Sequence, residues 1–395
     1  MATSRSAMSV LLVDPSLFTA PYDAALTEGL LAAGAQVCWA TRPTRAGDRQ
    51  ELPLACTDTF FYRRVDQLDW LPGALKSAVK GIAHMGGLLT LLGRVRARQP
   101  DVVHLQWVVV PPLDVLAMAL IRRWRPLVFT VHDTVPFNGQ KMSWLQRFGH
   151  DGPLRQAHRL IVHTRSGREA LLARGVPADK IAVIPHGPLR LSVTAPPRAE
   201  PRDPRWTCVL FGEIKPYKGL DLLIEAVAAL PDEDRVRLRV IVAGRPRMDI
   251  APLLARIAAL GLDAEFDVRA QRQSEEQMAV LFDEADCFVF PYRQIDASGV
   301  YFLVKGRGKW LIASRVGIFQ EDIAPELDGV LVPPEDVGAL SRALQDGVRQ
   351  RPTPDAARTA AGSWTEIGQS TLALYRDAIA AFDGPVRAGL PGAAE

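Results

Sequence analysis

Apolar residues in this chain come in short unbroken runs, each followed by a helical pattern and then by another run. Val10 to Val13 ends at Asp14-Pro15, a helix is predicted from about Asp23 to Ala33 with Gly34 as its stop, and the next run is Gln36 to Ala40. Strand, helix with a C-terminal glycine, strand is the pattern of a parallel βαβ unit. The unit recurs with the run Asp101 to Trp107, a predicted helix over Leu113 to Arg125 and the run Leu127 to Val131. It recurs again with Arg159 to His163, a predicted helix around Gly167 to Arg174 and the run Ile181 to Ile184. Runs without polar alternation predict strands that helices cover on both faces.

Residues 188–206 hold five prolines and no periodicity, which marks a linker. Alternation then restarts with Thr207 to Phe211, a predicted helix over Leu220 to Ala229, and further strands at Arg237 to Ala243, Glu265 to Val268 and Asp286 to Phe290. The predicted class is α/β, with two doubly wound Rossmann-like domains facing a central cleft. The expected division is an N-terminal domain over 1–190, a linker over 191–206 and a C-terminal domain over 207–363. A helix over 364–383 is expected to pack back towards the N-terminal domain, and 384–395 is expected to be a disordered tail.

Two stretches of the second half carry candidate chemistry: Phe211 to Gly219 (Phe-Gly-Glu-Ile-Lys-Pro-Tyr-Lys-Gly) and Pro291 to Gly299 (Pro-Tyr-Arg-Gln-Ile-Asp-Ala-Ser-Gly). Each follows a buried-strand run and leads into a helical pattern. A strand-end loop rich in Gly, Ser and Lys presents N–H groups and positive potential to an anion. Two such loops in one α/β domain point to a diphosphate held between them.

Of the 395 residues 48% are hydrophobic and 23% charged, ordinary values for a globular chain. Net charge is only +3, yet residues 1–190 carry 23 Lys and Arg against 14 Asp and Glu. That asymmetry suits an acidic partner or an anionic membrane surface, and equally two domains of unrelated charge. The segment 71–98 alternates Leu75, Val79, Ile82, Leu88, Leu89, Leu92 and Val95 with Lys76, Lys80, Arg94, Arg96 and Arg98. It reads either as a basic amphipathic membrane element, weakened by Gly81, Gly86 and Gly87, or as a core-facing helix with a solvated face. Cys38, Cys56, Cys208 and Cys287 lie far apart without metal-ligand spacing, which fits a reducing cytoplasm. No signal peptide and no transmembrane run is read, and nothing points to nucleic acid.

Seven short motifs then fall in one order: Thr130-Val-His-Asp133, Ile161-Val-His-Thr164 with Lys180 to Gly187, Gly212 to Gly219, Val242-Ala-Gly-Arg245, Pro291-Tyr-Arg293, Ser298-Gly299, and Gly329 to Asp336. In these the chain resembles a GT-B glycosyltransferase of family 4, the glycosyl transferases group 1 type, from about Val10 to Ala381. The resemblance implies that Lys218 reaches a donor diphosphate, with Gly212 and Gly219 shaping its loop and Ser298 and Gly299 closing on the phosphates. Glu213 stands where relatives often carry Arg, so Lys215, Arg245 or Arg293 is expected to supply a second cation. His132 is the expected catalytic residue, facing the donor sugar. His186 is expected at the interdomain hinge, His104 and Gln106 on the acceptor side, and Ser16 to Tyr22 in the acceptor site. Leu303 occupies the position of the family's ribose-binding Glu and Trp310 that of a Pro, while an earlier acidic position falls on Ile295, beside Asp296.

The resulting expectation is a metal-independent glycosyltransferase without a cofactor, using a UDP- or GDP-linked donor and a glycan or lipid-linked acceptor in envelope or exopolysaccharide assembly. It would be cytoplasmic and peripheral on the inner face of the plasma membrane. A GT-B epimerase or phosphorylase is one rival; a non-catalytic nucleotide-binding scaffold, prompted by Glu213, Leu303 and Trp310, is the other.

Overall fold

The computed structural model describes residues 7–45, 48–63, 65, 73–134, 151–197, 202–354 and 363–382. The expected tail at 384–395 lies outside them. The first sheet is built from β1 (Ser9–Asp14), β2 (Gln36–Thr41), β3 (Thr57–Thr59), β4 (Val102–Leu105), β5 (Leu127–Thr130), β6 (Arg159–Val162) and β7 (Ile181–Val183). All pairs are parallel, in the order β3-β2-β1-β4-β5-β6-β7. The second contains β8 (Trp206–Phe211), β9 (Leu238–Ala243), β10 (Phe266–Arg269), β11 (Cys287–Phe290), β12 (Trp310–Ser314) and β13 (Gly329–Val332), in the order β10-β9-β8-β11-β12-β13. In each sheet the strand order reverses once, between β1 and β4 and between β8 and β11, which makes a crevice at the strands' carboxyl ends.

The uninterrupted apolar runs are buried on both faces, as their lack of alternation requires: every residue of β4, β8 and β11 is buried. Helices cover both sides of the second sheet, giving one core around Trp206, Leu223 and Leu344 and another around Phe288, Tyr301 and Phe319.

The last helix, Trp364–Ala380, crosses back onto the first domain and packs chiefly against the helix Ala20–Ala32. Two glycines permit this approach, because a Cβ on Gly29 would collide with the Trp364 carbonyl and one on Gly368 with that of Gly29. Tyr375 from this helix is buried against the first sheet and bonds His104 Nδ1 through its hydroxyl at 2.7 Å.

The basic segment of the first half forms one unbroken helix, Gly73–Arg98, in spite of its glycines. His84, Leu88, Leu91 and Val95 face the core, and His84 bonds Asp114 at 2.9 Å and the Tyr62 hydroxyl at 2.6 Å. Leu75, Ile82, Met85 and Leu89 are exposed on the other side. Arg94 and Arg98 pair with Asp58, and Arg96 lies over the Trp124 ring. Among the described residues no helix is long and apolar enough to cross a membrane.

Candidate active site

A cleft of about 1300 Å³ separates the two domains, with the β8 and β11 loops on one wall and the β1, β4 and β5 loops on the other. On the C-terminal wall, Gly212 turns the chain out of β8 with φ +100°, a conformation that favours glycine. Gly219 also has positive φ, and a Cβ there would strike the Pro291 carbonyl, so the two strand-end loops touch at this glycine. The Arg293 N–H donating to the Tyr217 carbonyl at 2.8 Å ties the same loops together.

Lys218 sits between them. Its side chain is buried yet lines the cleft, its Nζ donates to the Phe211 carbonyl at 3.3 Å, and it lies 5.4 Å from the centre of the Tyr292 ring. Burial, reinforced by Lys215, pulls the ammonium down to about 7, although Glu213 acts in the other direction. Ser298 caps the short helix Gly299–Lys305 by accepting from the Tyr301 N–H, and both Ser298 and Gly299 line the cleft. Lys215 lines it too, 3.0 Å from Glu213, whose other partner is Arg247 at 2.6 Å.

The other two expected cations lie elsewhere. Arg293 is not on the cleft wall; its guanidinium forks onto Asp221 at 2.6 and 3.1 Å, meets Glu335 at 3.0 Å and donates to the Pro216 carbonyl. It braces the loop that carries Lys218. Arg245 is exposed and belongs to a separate hollow of about 310 Å³ with Arg247 and Arg272.

On the N-terminal wall His132 lines the cleft as one link of a buried chain. Its Nε2 meets the Gln106 side-chain amide at 3.0 Å and its Nδ1 meets His163 Nε2 at 3.3 Å, while His163 Nδ1 donates to the Ile184 carbonyl at 3.0 Å. Tyr22 packs on His132, His163 and His186 with centroids 4.9 to 5.3 Å away. Burial, and then the neighbouring imidazoles, hold His132 well below the usual histidine range. It is therefore neutral near pH 7, able to hydrogen-bond but not to serve as a cation. His104, expected on the acceptor side, is wholly buried between Thr130 and Tyr375 and does not line the cleft.

Asp133, unremarked in the sequence beyond its motif, also faces the cleft; burial and the Asp296 carboxylate push it up to about 7 against the pull of Lys215. Carboxylates also join the domains. Asp296 accepts from the Thr134 hydroxyl at 2.7 Å and from its N–H, and Glu321 accepts from the N–H groups of Arg165 and Ser166, each at 2.7 Å. At the opposite rim Arg49 pairs with Glu275 at 2.9 Å and Arg272 with Asp48 at 2.8 Å. These contacts join residues more than 150 positions apart and carry no local signal. Among the described residues no group of three or more His, Cys, Asp or Glu is arranged to hold a metal ion.

Comparison with known proteins fits this geometry. The glycosyl transferase 4-like domain model matches residues 19–187, and the glycosyl transferases group 1 model matches 195–364. The chain belongs to the family-4 glycosyltransferases of the GT-B fold. D-inositol 3-phosphate glycosyltransferase of Mycobacterium sp. (strain KMS) is 29% identical over 249 residues, 58% of this chain and 55% of that protein. The chain thus spans about half the length of the mycobacterial relative. The enzyme of the same name from Corynebacterium glutamicum (strain R) is 28% identical over 75% of this chain and 77% of its own length. Among solved structures, Anabaena HepE in complex with UDP and glucose superposes with a TM-score of 0.63 at 17% identity, over 95% and 97% of the two chains. Sucrose-phosphate synthase from Thermosynechococcus elongatus gives 0.68 at 22% identity, over 95% and 100%. Glu213 neutralises Lys215, and Leu303 places an apolar side chain on the cleft wall.

Proposed function

We propose that this glycosyltransferase moves a sugar from a UDP- or GDP-linked donor to an acceptor hydroxyl on a glycan or a lipid-linked glycan. One observation carries the reading: Lys218 is seated, buried, between two touching strand-end loops at the switch point of the second sheet. That position suits a donor diphosphate, whose charge would draw a proton onto the amine and keep it there while the sugar leaves. Lys215, Lys218 and the backbone around Ser298 and Gly299 would supply the stabilisation of the leaving diphosphate, without a resident metal. His132, across the cleft and neutral, would hydrogen-bond a sugar hydroxyl in exchange for its Gln106 bond and so position the anomeric carbon. The HepE complex with UDP and glucose supports a nucleotide-sugar donor.

The helix Gly73–Arg98 supports peripheral attachment to the inner face of the plasma membrane, consistent with a lipid-linked acceptor in envelope assembly. Its exposed Leu75, Ile82, Met85 and Leu89 form an apolar stripe on the face away from the core.

A thermal-shift panel of UDP, GDP and their sugars, followed by product analysis, tests the reading. One nucleotide family should raise the melting temperature, since binding at 100 times Kd adds about 2.7 kcal/mol. Sugar transfer should persist in EDTA. Stabilisation by none of them, or release of an epimerised donor without transfer, would contradict it.

A further inference from the structure

Just past the carboxyl ends of three neighbouring strands, β7, β6 and β5, stand Ile184, His163 and His132. Ladder bonds hold these ends in register, with the Ile184 N–H donating to the Val162 carbonyl at 2.9 Å and the Val131 N–H to the Ile161 carbonyl at 2.8 Å. The Ile184 carbonyl can only accept, so its 3.0 Å bond fixes a proton on His163 Nδ1. A neutral imidazole has one N–H, which leaves His163 Nε2 as an acceptor. That atom lies 3.3 Å from His132 Nδ1, so the proton between the two rings belongs to His132. By the same rule His132 Nε2, the nitrogen that meets the Gln106 amide, carries a lone pair and no proton.

Both rings are neutral near pH 7, because burial holds His132 well below the usual histidine range and lowers His163 to about 4. Among the described residues neither ring bonds a carboxylate that would charge it. The plane of His132 is held too: it stacks 4.9 Å from Trp107, at 10°, and Tyr22 meets it edge-on at 88°. A half-turn of the ring would forfeit its bonds at both nitrogens. Gln106 fits the lone pair with its amide NH2 turned towards Nε2, since an oxygen there would be repelled. His104, on the other side of that amide, already bonds the Tyr375 and Thr130 hydroxyls at 2.7 Å each.

We propose that His163 is a positioning residue for sugar transfer, locking His132 in the form whose Nε2 accepts a hydrogen bond. A sugar hydroxyl that takes the place of the Gln106 amide is then the donor of that bond. A fluoro or O-methyl group at the same position cannot donate and would leave the lone pair unmatched. This rests on the transferase reading above and deepens it by giving the bond a direction and His132 a partner that sets it.

Proton–nitrogen correlation NMR of the full chain, labelled at histidine and held at pH 8, reads the tautomers directly. His132 and His163 should each show a protonated Nδ1 and a bare Nε2, with the signals assigned by their loss in His132→Gln and His163→Gln. In His163→Leu the His132 signal should move towards Nε2–H. Release of UDP or GDP from UDP-glucose, UDP-galactose, UDP-N-acetylglucosamine and GDP-mannose, with methyl glycosides as acceptors, gives the kinetic arm. There His163→Leu should lower kcat at least fivefold while the nucleotide Kd stays within twofold. His163→Gln, whose amide can donate to the Ile184 carbonyl and accept from His132, should recover most of that loss. A protonated Nε2 on His132 in the wild type, an unchanged kcat in His163→Leu, or equal losses in the two variants would overturn the relay. If the wild-type chain turns over none of these donors, the transferase reading fails; if it does so with Nε2–H on His132, only the relay fails.

Discussion

His186 of the N-terminal domain lies flat on Phe302 of the C-terminal domain, with ring centroids 3.8 Å apart and planes 2° from parallel. The adjacent backbone is joined as well, the Leu189 N–H donating to the Phe302 carbonyl at 3.1 Å. The expectation that His186 shapes the hinge thus acquires a partner, one that the sequence places 116 positions away. Phe302 is buried, so Phe302→Leu retains most of the apolar volume while losing the stack, worth about 0.5–1.5 kcal/mol. The variant should melt a few degrees lower and scatter X-rays with a larger radius of gyration. Unchanged melting and scattering would remove the clasp from the account.

Lys218 predicts a proton linkage. Free, it is pulled down to about 7; beside a diphosphate it should be fully charged. Nucleotide binding at pH 8 should therefore take up most of one proton, seen as a positive slope of calorimetric enthalpy against buffer ionisation enthalpy. Lys218→Ala should abolish that slope and cost roughly 2–4 kcal/mol in kcat/KM, as for the loss of one preorganised donor. A zero slope in the wild type would place the phosphates elsewhere.

The histidine chain predicts acid sensitivity. His163 is lowered to about 4, chiefly by burial, whereas in the unfolded chain it titrates near about 6.5. Below that value the unfolded state binds more protons, so the histidine's contribution is complete above about 6.5 and is lost as pH falls towards 4. Asp133, pushed up to about 7, slopes the opposite way, so the measurable quantity is a difference between variants. His163→Gln should flatten the stability–pH curve between 6 and 4.5 by up to about 1.4 kcal/mol per pH unit relative to wild type. Parallel curves would contradict the neutral chain.

The exposed stripe on Gly73–Arg98 predicts salt-sensitive binding to anionic vesicles, since surface charges are screened within about 10 Å at 0.1 M salt. Ile82→Glu combined with Leu89→Glu should abolish co-sedimentation without lowering the melting temperature, because both side chains already face water. Equal recovery with neutral and anionic vesicles, or none with either, would return this face to ordinary solvated surface.

The parallel architecture was legible because strands buried on both faces leave unbroken apolar runs, as in Val10 to Val13 and Cys208 to Leu210. The loops after β8 and β11 were legible because a turn that admits an anion needs Gly, Ser and Lys within a few positions. The continuity of Gly73–Arg98 was not, since each interior glycine costs about 1 kcal/mol against Ala while the compensating contacts of Leu88, Leu91 and Val95 are tertiary. The directions of Arg245 and Arg293 were hidden for a related reason. Arginine beside a phosphate loop reads as a ligand until Asp221 and Glu335, 72 and 42 positions away, claim Arg293. The interdomain carboxylates Asp296 and Glu321, and the upward push that Asp296 gives Asp133, acquire meaning only when the two domains face each other.

The position of the donor diphosphate is the claim on which the account turns, and a crystal structure with the best-binding nucleoside diphosphate tests it most directly. Phosphate oxygens should lie within hydrogen-bonding distance of Lys218 Nζ and of backbone N–H groups in the 212–219 and 298–300 segments. A nucleotide bound with its phosphates on the N-terminal wall, or in the hollow beside Arg245, would contradict it.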